Sequence, residues 1–524
     1  MNRSVFYILF LANLCAIGES ARILAIFSAP SVSHKAVFRA FINGLLERGH
    51  EIVVVTPDVD YPNNKRPENL TELNIHNITH KAIKDDLIKL KKADGTSIYN
   101  HFDELYRLVN ILSERLFRSK RFKEILKKKF DLVIVEAFHE ALLSISSILQ
   151  VPIIQMSAIG STNGYEMIGA PVNPLLYPEI ITQRIKNLTF WEEIKESLAY
   201  HSLKLIQRKS ERRLDDMIKR KIPHTPPLKE LKKNVNKIFL NSNPIWEENR
   251  PVPIGVTYTM GIKKQKATGL SEDLKKYLDN SENGVIYISF GTDIQPSTLP
   301  ADRVNILMSV VSQIPYDVLL KWDKEDIEGL PKNVKVAKWL PQIDVLKHKN
   351  VKLFITQAST QSTEEAIDAG VPLIAVPIMF EQWSNAEKIV RHNIGKKIEY
   401  ESVTEQELRH AIEVIARDDR YRNNTKYLRS LLQDRRHNPL YSAVWWTEYV
   451  LKHGSSHLQS PAAGISWFEY LELELIITIF IAILLWFCLF IALCVYIFKN
   501  LRRKSTDIDL GTPYTLRFDN RKYY

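Results

Sequence analysis

Short apolar runs alternate with amphipathic stretches in two separate parts of the chain. In residues 22–57, Ile23–Phe27 is an apolar run and Ser28–Ser33 a Pro- and Ser-rich loop. Lys35–Arg48 then places Val37, Phe38, Phe41, Ile42 and Leu45 on one helical face before Gly49, a fitting C-terminal stop. With the apolar run Ile52–Thr56 this makes a strand–helix–strand unit, the building block of a parallel sheet. Leu132–Val135 and Pro152–Met156 read as buried strands flanking a helix over 139–149. Residues 180–235 are charged and helical without a clean apolar stripe, and 264–283, rich in Lys and Asp/Glu, reads as a linker. The alternation restarts with predicted strands at Val285–Phe290, Val318–Lys321, Val334–Lys338, Leu353–Thr356 and Leu373–Val376. Helices are expected at Arg303–Gln313, Ile343–Lys347, Thr363–Ala369 and Asn385–Val390, and a capping box at Thr404-Glu405-Gln406-Glu407 opens another to about Ala416. The pattern predicts an α/β protein with two Rossmann-like halves facing across a cleft.

The ends of the chain bear on its compartment. Arg3 followed by the apolar Val5–Ile17 and the small residues near Gly18 and Ser20 reads as a signal peptide over residues 1–20, too short to span a bilayer. Leu475–Phe498 is free of charge and long enough to cross one; a buried core helix is the alternative, but few soluble cores use so long a run that is apolar all round. The tail 499–524 holds seven Lys/Arg and three Asp/Glu, which places it in the cytosol by the positive-inside rule. The expected topology is a single-pass type I membrane protein, with a juxtamembrane segment at 456–474 and the body on the lumenal side. The last four residues, Arg521-Lys522-Tyr523-Tyr524, resemble a dibasic retrieval signal and point to the endoplasmic reticulum membrane. The three cysteines are Cys15, Cys488 and Cys494, so the body between the apolar ends has no disulfide and no Cys-based zinc site. Sequons at Asn69, Asn77, Asn187 and Asn423 suit exposed, glycosylated loops.

Composition adds little beyond exclusions. At 45% hydrophobic and 25% charged the 524 residues are ordinary globular material. The formal net charge of +11 is spread along the chain rather than clustered, which argues against nucleic acid as a partner. There is no GxGxxG, Walker loop or HExxH.

The informative segment is 339–386: Trp339-Leu340-Pro341-Gln342, Phe354-Ile355-Thr356-Gln357, Ser362-Thr363-Glu364-Glu365-Ala366, and Pro372…Pro377…Glu381-Gln382. Together with Ser33-His34 near the start and Phe290-Gly291-Thr292, this resembles the UDP-glycosyltransferase family, and most of all its insect branch. The resemblance covers nearly the whole chain. It implies the GT-B fold, with an N-terminal acceptor-binding domain (21–263), the linker (264–283) and a C-terminal nucleotide-sugar domain (284–455) ending in a helix that returns to the first. It also implies transfer of a hexosyl group, glucose in the insect branch, from a UDP-sugar to a small lipophilic acceptor, inverting and without metal or other cofactor.

Residue chemistry agrees with that reading. Trp339 offers a flat face and Gln342 hydrogen-bonding groups for uracil, although a Trp closing a strand is commonly just buried. The Gln357–Thr363 segment opens a helix whose N-terminal amides suit a diphosphate, with Thr292, Gln357, Gln361 and Ser362 beside it. The resemblance gives Glu365 the ribose hydroxyls and Glu381-Gln382 the sugar. His34, in the loop after the first strand and at the start of a helix, is the general-base candidate, and Glu136 takes the place of the family's usual Asp that holds the imidazole. Three departures stand out. Gln357-Ala358-Ser359 replaces the usual His-Gly-Gly, Gln361-Ser362 replaces an Asn/Ser-Gly pair, and Glu381 replaces Asp; the Cβ atoms of Ala358 and Ser359 restrict close backbone approach to phosphate. A catalytically weakened binding protein or partner of active transferases on the same scaffold therefore remains an alternative, as does homo- or hetero-oligomerisation; repeats or sandwich-like spacing that would mark an adhesion ectodomain are missing.

Overall fold

The computed structural model describes residues 20–61, 65–80, 98–160, 164–173, 175–177, 188–263, 269–292, 294–324, 327 and 329–508. Residues 1–19 of the expected signal peptide, the sequon at Asn187, residues 264–268 and the tail beyond 508 lie outside the described residues. Residues Met1–Gly464 form one compact unit and Ile465–Tyr524 a second.

The first unit is built on two all-parallel sheets. The first contains β1 (Arg22–Ile26), β2 (Glu51–Thr56), β3 (Leu70–Asn74), β4 (Leu132–Glu136), β5 (Ile153–Ser157), β6 (Ile238–Leu240) and β7 (Val256–Tyr258) in the order 3-2-1-4-5-6-7. The second contains β8 (Val285–Ser289), β9 (Asp317–Lys321), β10 (Val334–Ala337), β11 (Val351–Thr356), β12 (Leu373–Ala375) and β13 (Gly395–Lys397) in the order 10-9-8-11-12-13. The central strands are continuous Val/Ile/Leu runs because helices cover both faces, as parallel sheets require. Four short strands, β3, β6, β7 and β13, escape the sequence reading; three to five residues carry too little pattern to separate from a loop.

The helices place the chemistry. Helix α1 (Val32–Glu47) begins earlier than the periodicity predicts, and His34 stands on its first turn, at the helix start as expected. Glu136 is the last residue of β4 rather than the first beyond it. The long α2 (Ile98–Arg118) and α3 (Phe190–Lys221) pack side by side, joined by Asn110 Nδ2 donating to Ser210 Oγ at 3.2 Å. Helix α3 buries Tyr200, Leu214, Met217 and Ile218 while exposing Trp191, Ile194, Leu198 and Leu205. Apolar residues on two faces cancel in any single-stripe reading, which is why 180–235 shows no clean pattern. Within the expected linker, α4 (Glu272–Asn280), capped by Ser271, buries Leu274 and Leu278 in the core of the second lobe.

Helix α5 (Thr360–Ala369) follows β11, and α6 (Gln382–Arg391) follows β12. Helix α7 (Pro439–His453) then packs on α1, contributing Ala443, Val444 and Val450 to the core of the first lobe. Gly44 permits that approach, since a Cβ there would lie 2.8 Å from Leu440. Polar pairs join the lobes: the buried Lys388 with Glu247 at 3.1 Å, the part-exposed Arg391 with Glu248, and the buried Trp246 Nε1 donating to Asn385 Oδ1 at 3.4 Å.

In the second unit, helix α8 (Leu473–Ile508) contains the stretch Leu473–Arg503, long and apolar enough to cross a membrane, with a mean hydropathy of 3.1 in its most apolar 18-residue window. The described sequons differ in setting. Asn77 is exposed, Asn423 lies on a helix (Asp419–Gln433) rather than a loop, and Asn69 Nδ2 already donates to the carbonyls of Leu46 and His50.

Candidate active site

In a parallel sheet the strand order reverses at one place, and the loops leaving there diverge to open a crevice. In the first sheet this place lies between β1 and β4. His34 follows β1 and Glu136 ends β4, so the topology alone brings them together; His34 Nδ1 lies 3.0 Å from Glu136 Oε1. The carboxylate is fixed from its other side, where Oε2 accepts the backbone N–H groups of Ser28 at 3.1 Å and Ala29 at 2.9 Å. Its side chain is 1% exposed, against 19% for His34. Burial raises the carboxyl's pKa, but the hydrogen bond and charge of His34, with His139 and the Ala29 amide, outweigh it and leave it below the ordinary value. Glu136 is therefore an anion aimed at the imidazole. The His34 ring meets the edge of Phe38 at 6.3 Å, and Phe38 stacks on Phe27 at 4.0 Å, so aromatic packing fixes the ring's position.

A second histidine, missed in the sequence, completes this cluster. His139 is buried and its Nδ1 lies 2.6 Å from Ser28 Oγ. Burial lowers its pKa and keeps the ring neutral near pH 7. Its position three residues after Glu136 was the available signal.

The reversal in the second sheet lies between β8 and β11. Thr292 follows β8 and is exposed; Gln357 follows β11, is buried, and accepts from Thr356 Oγ1 at 3.1 Å. The Gln357 amide fills the space over Gly291, where an added Cβ would meet Nε2 at 2.1 Å. Ala358 has φ +65°, a left-handed conformation that favours glycine, and its carbonyl accepts from Asn385 Nδ2 at 3.0 Å. The loop thus keeps a glycine-like backbone path at the cost of local strain.

Gln342, Ser362 and Glu365 form one network. Gln342 Nε2 donates to Glu365 Oε2 at 2.7 Å and Ser362 Oγ at 3.2 Å, and Tyr287 OH donates to Gln342 Oε1 at 3.1 Å. The other Glu365 oxygen accepts from Lys263 Nζ at 2.9 Å, a partner with no signal in the sequence. Trp339 is 65% exposed, so its face is open rather than buried as a strand closure, and Lys321 Nζ lies 4.8 Å from the ring centroid.

Other candidates are engaged elsewhere. Gln361 Nε2 reaches across to the first lobe and donates to the Ala158 carbonyl at 2.7 Å. Gln382 Oε1 accepts the N–H groups of Ile378 and Met379, both at 2.9 Å, and holds the turn before α6. Glu381 Oε1 accepts from Thr360 N at 3.3 Å, which sets a carboxylate against the first residue of α5. The structure therefore makes three groups: His34–Glu136–His139 on the first lobe, Gln342–Ser362–Glu365 on the second, and Thr360–Glu381 at the start of α5.

Two parallel sheets, each with candidate residues at its switch point, give the GT-B fold, and solved structures agree in that fold. The kitacinnamycin glycotransferase superposes with a TM-score of 0.57 at 17% identity, over 82% of this chain and 99% of that one. A UDP-glucosyltransferase from Polygonum tinctorium superposes with 0.56 at 16%, over 83% and 99%. The chain belongs to the UDP-glucoronosyl and UDP-glucosyl transferase family, whose model matches residues 22–507. It is 34% identical to the ecdysteroid UDP-glucosyltransferase of Spodoptera littoralis nuclear polyhedrosis virus, over 91% of this chain and 97% of the relative. It is 27% identical to UDP-glycosyltransferase UGT5 of Dactylopius coccus, over 90% and 91%.

Proposed function

We propose that this glycosyltransferase moves glucose from UDP-glucose to a hydroxyl of a small lipophilic acceptor, with inversion at the anomeric carbon and no metal at the diphosphate. The single observation that carries the proposal is the His34–Glu136 pair at one switch point, with the Gln342–Ser362–Glu365 network beside the other. Glu136 holds the Nδ1–H of His34, so Nε2 is the basic nitrogen and takes the acceptor's proton as its oxygen attacks the anomeric carbon. The anomeric carbon–oxygen bond to the β-phosphate breaks on the opposite face, and UDP leaves with the electron pair. Glu136 stabilises the imidazolium. On the second lobe Trp339 and Gln342 take the base and Glu365 the ribose, exchanging its contact with Lys263. Thr292, Gln357, Ser362, the first amides of α5 and Gln361, on exchanging its contact with Ala158, take the diphosphate, and Glu381 and the Nε2 of Gln382 take the sugar.

Relatives named for ecdysteroids make a polyhydroxylated steroid the first acceptor to try. Microsomes expressing the chain, given a panel of UDP-sugars with steroid and phenol acceptors, should form glucosides from UDP-glucose. No product from any donor–acceptor pair would overturn the reading. The apolar helix and the basic residues after it support a single-pass type I anchor in the endoplasmic reticulum membrane, with the body lumenal; glycosidase-sensitive mass and protease protection in sealed microsomes test this.

A second reading, a binding protein that uses UDP-sugars poorly, is favoured by the Glu381 carboxylate against Thr360 N and by the strained Ala358. Calorimetry with UDP separates the two, because a degenerate site gives no saturable heat.

A further inference from the structure

Outside the cleft machinery, one cluster of metal-ligating side chains is assembled by the sheet register itself. Strand β2 pairs with β3 so that Thr56 lies beside Asn74. Two residues beyond each partner stand Asp58 and His76, and Ile75 N donates to Thr56 O at 2.9 Å to hold the two strand ends together. Asn74 Oδ1 accepts His76 N at 2.7 Å and starts a helical turn over 76–80, which puts His80 on the face of His76 one turn on.

The geometry is that of a three-ligand set. Asp58 Oδ1 lies 3.1 Å from His76 Nδ1, and Asp58 Oδ2 lies 3.5 Å from His80 Nε2. The two imidazoles stack at 3.9 Å, and the three ligand atoms all lie within 4.8 Å of one another. Around a tetrahedral zinc ion with bonds of about 2.0–2.1 Å, neighbouring ligand atoms are about 3.4 Å apart. The two short contacts are made by different oxygens of Asp58, so the carboxylate would bind through both oxygens or turn to present one to both rings. His80 Nε2 is itself buried and makes no hydrogen bond among the described residues. Its nearest partner is Asp58 Oδ2 at 3.5 Å, the long limit of a hydrogen bond, and a metal ion held between the two would use both lone pairs.

We propose that Asp58, His76 and His80 bind a divalent cation of the zinc class. Two imidazoles and one carboxylate select a borderline late first-row ion over magnesium or calcium, which prefer oxygen ligands. A fourth position stays open to solvent. The ion braces the loop after β2 against the turn after β3 at the C-terminal edge of the first sheet. Asp58 also lines a surface hollow there with Phe27, Ala29, Ser31 and Lys35, from the loop and first helical turn that carry His34, so the ion stiffens a wall beside the acceptor side of the cleft. The site lies apart from the diphosphate-facing residues of the second lobe, and its occupancy is independent of whether the chain transfers sugar.

The test uses the full chain in detergent, stripped with chelator and titrated with Zn²⁺ against a fluorescent competitor, then with Co²⁺ to read the tetrahedral visible bands. Wild type should bind one Zn²⁺ that His80→Ala and Asp58→Asn each weaken about tenfold or more. Zn²⁺ should raise the melting temperature of wild type only, while Mg²⁺ and Ca²⁺ do nothing. Unchanged melting of the stripped variants shows that they fold, and His76→Gln, at an exposed position, serves where either does not. Absence of saturable Zn²⁺ binding by wild type, or wild-type affinity in the folded variants, would overturn the proposal.

Discussion

Replacing Glu136 by Gln probes the proposed proton path with the least disturbance of packing. The side chain is 1% exposed and receives hydrogen bonds on both oxygens, two from the backbone amides of Ser28 and Ala29 and one from the direction of His34. Alanine would leave those two buried amides unpaired at about 1–3 kcal/mol each and confuse folding with catalysis. Gln is isosteric, and the amides dictate its orientation: its carbonyl must face Ser28 and Ala29, because an NH₂ there would set donors against donors. The NH₂ then faces His34 Nδ1 and is satisfied only if that nitrogen is unprotonated. The proton moves to Nε2, the atom that must accept one from the substrate. Trapping the imidazole of a catalytic triad in the wrong tautomer in this way costs about 10⁴ in kcat, or about 5 kcal/mol of transition-state stabilisation. Steady-state glucosyl transfer, measured alongside UDP affinity, should show kcat down by about three to four decades with UDP binding unchanged. A Glu136→Gln enzyme keeping more than about a tenth of wild-type kcat would refute the tautomer argument.

Other perturbations follow from the second lobe. Glu381→Asp withdraws the carboxylate from Thr360 N and should tighten UDP binding severalfold by calorimetry; weaker binding would mean that Glu381 helps the nucleotide. Ala358→Gly relieves the positive φ and should raise stability by about 0.5–1 kcal/mol in a thermal melt, after allowance for glycine's unfolded-state freedom. Glu364, whose carboxylate accepts Gly261 N at 2.6 Å, has its pKa raised by burial and by Asp368 to about 7. The folded state thus holds this proton more tightly than the unfolded chain does. The group's contribution is fully present below about pH 4.5 and is lost as pH rises towards 7, by about 3 kcal/mol across that window. Glu364→Gln should flatten that part of the stability–pH curve, and an unchanged slope would contradict the assignment.

Much of the architecture is written in local pattern. Continuous apolar runs such as Ile23–Ile26 and Leu353–Thr356 identify the central strands because both faces are buried. What local pattern lacks is partnership. β6 and β7 are three residues each and become strands only by pairing, β6 between β5 and β7 and β7 at the sheet edge. Helix α3 serves the core with one face and exposes apolar residues on the other, so its periodicity is mixed. Among the site residues, resemblance supplied the positions, whereas geometry supplied the contacts. No spacing rule joins Lys263 to Glu365 or Ser28 to His139, because these meetings are set by how a loop lands after a long chain excursion. Gln382 illustrates the reverse case, a residue expected to face the sugar whose side-chain oxygen is spent on the Ile378–Met379 turn.

The proposed mechanism divides the work, with the base held by one lobe and the nucleotide by the other. Its most direct measurement is UDP-glucose-dependent transfer by His34→Ala beside its affinity for UDP. Transfer should fall by about two to four decades, with UDP affinity within about twofold of wild type. Undiminished transfer, or loss of UDP binding together with activity, would contradict it.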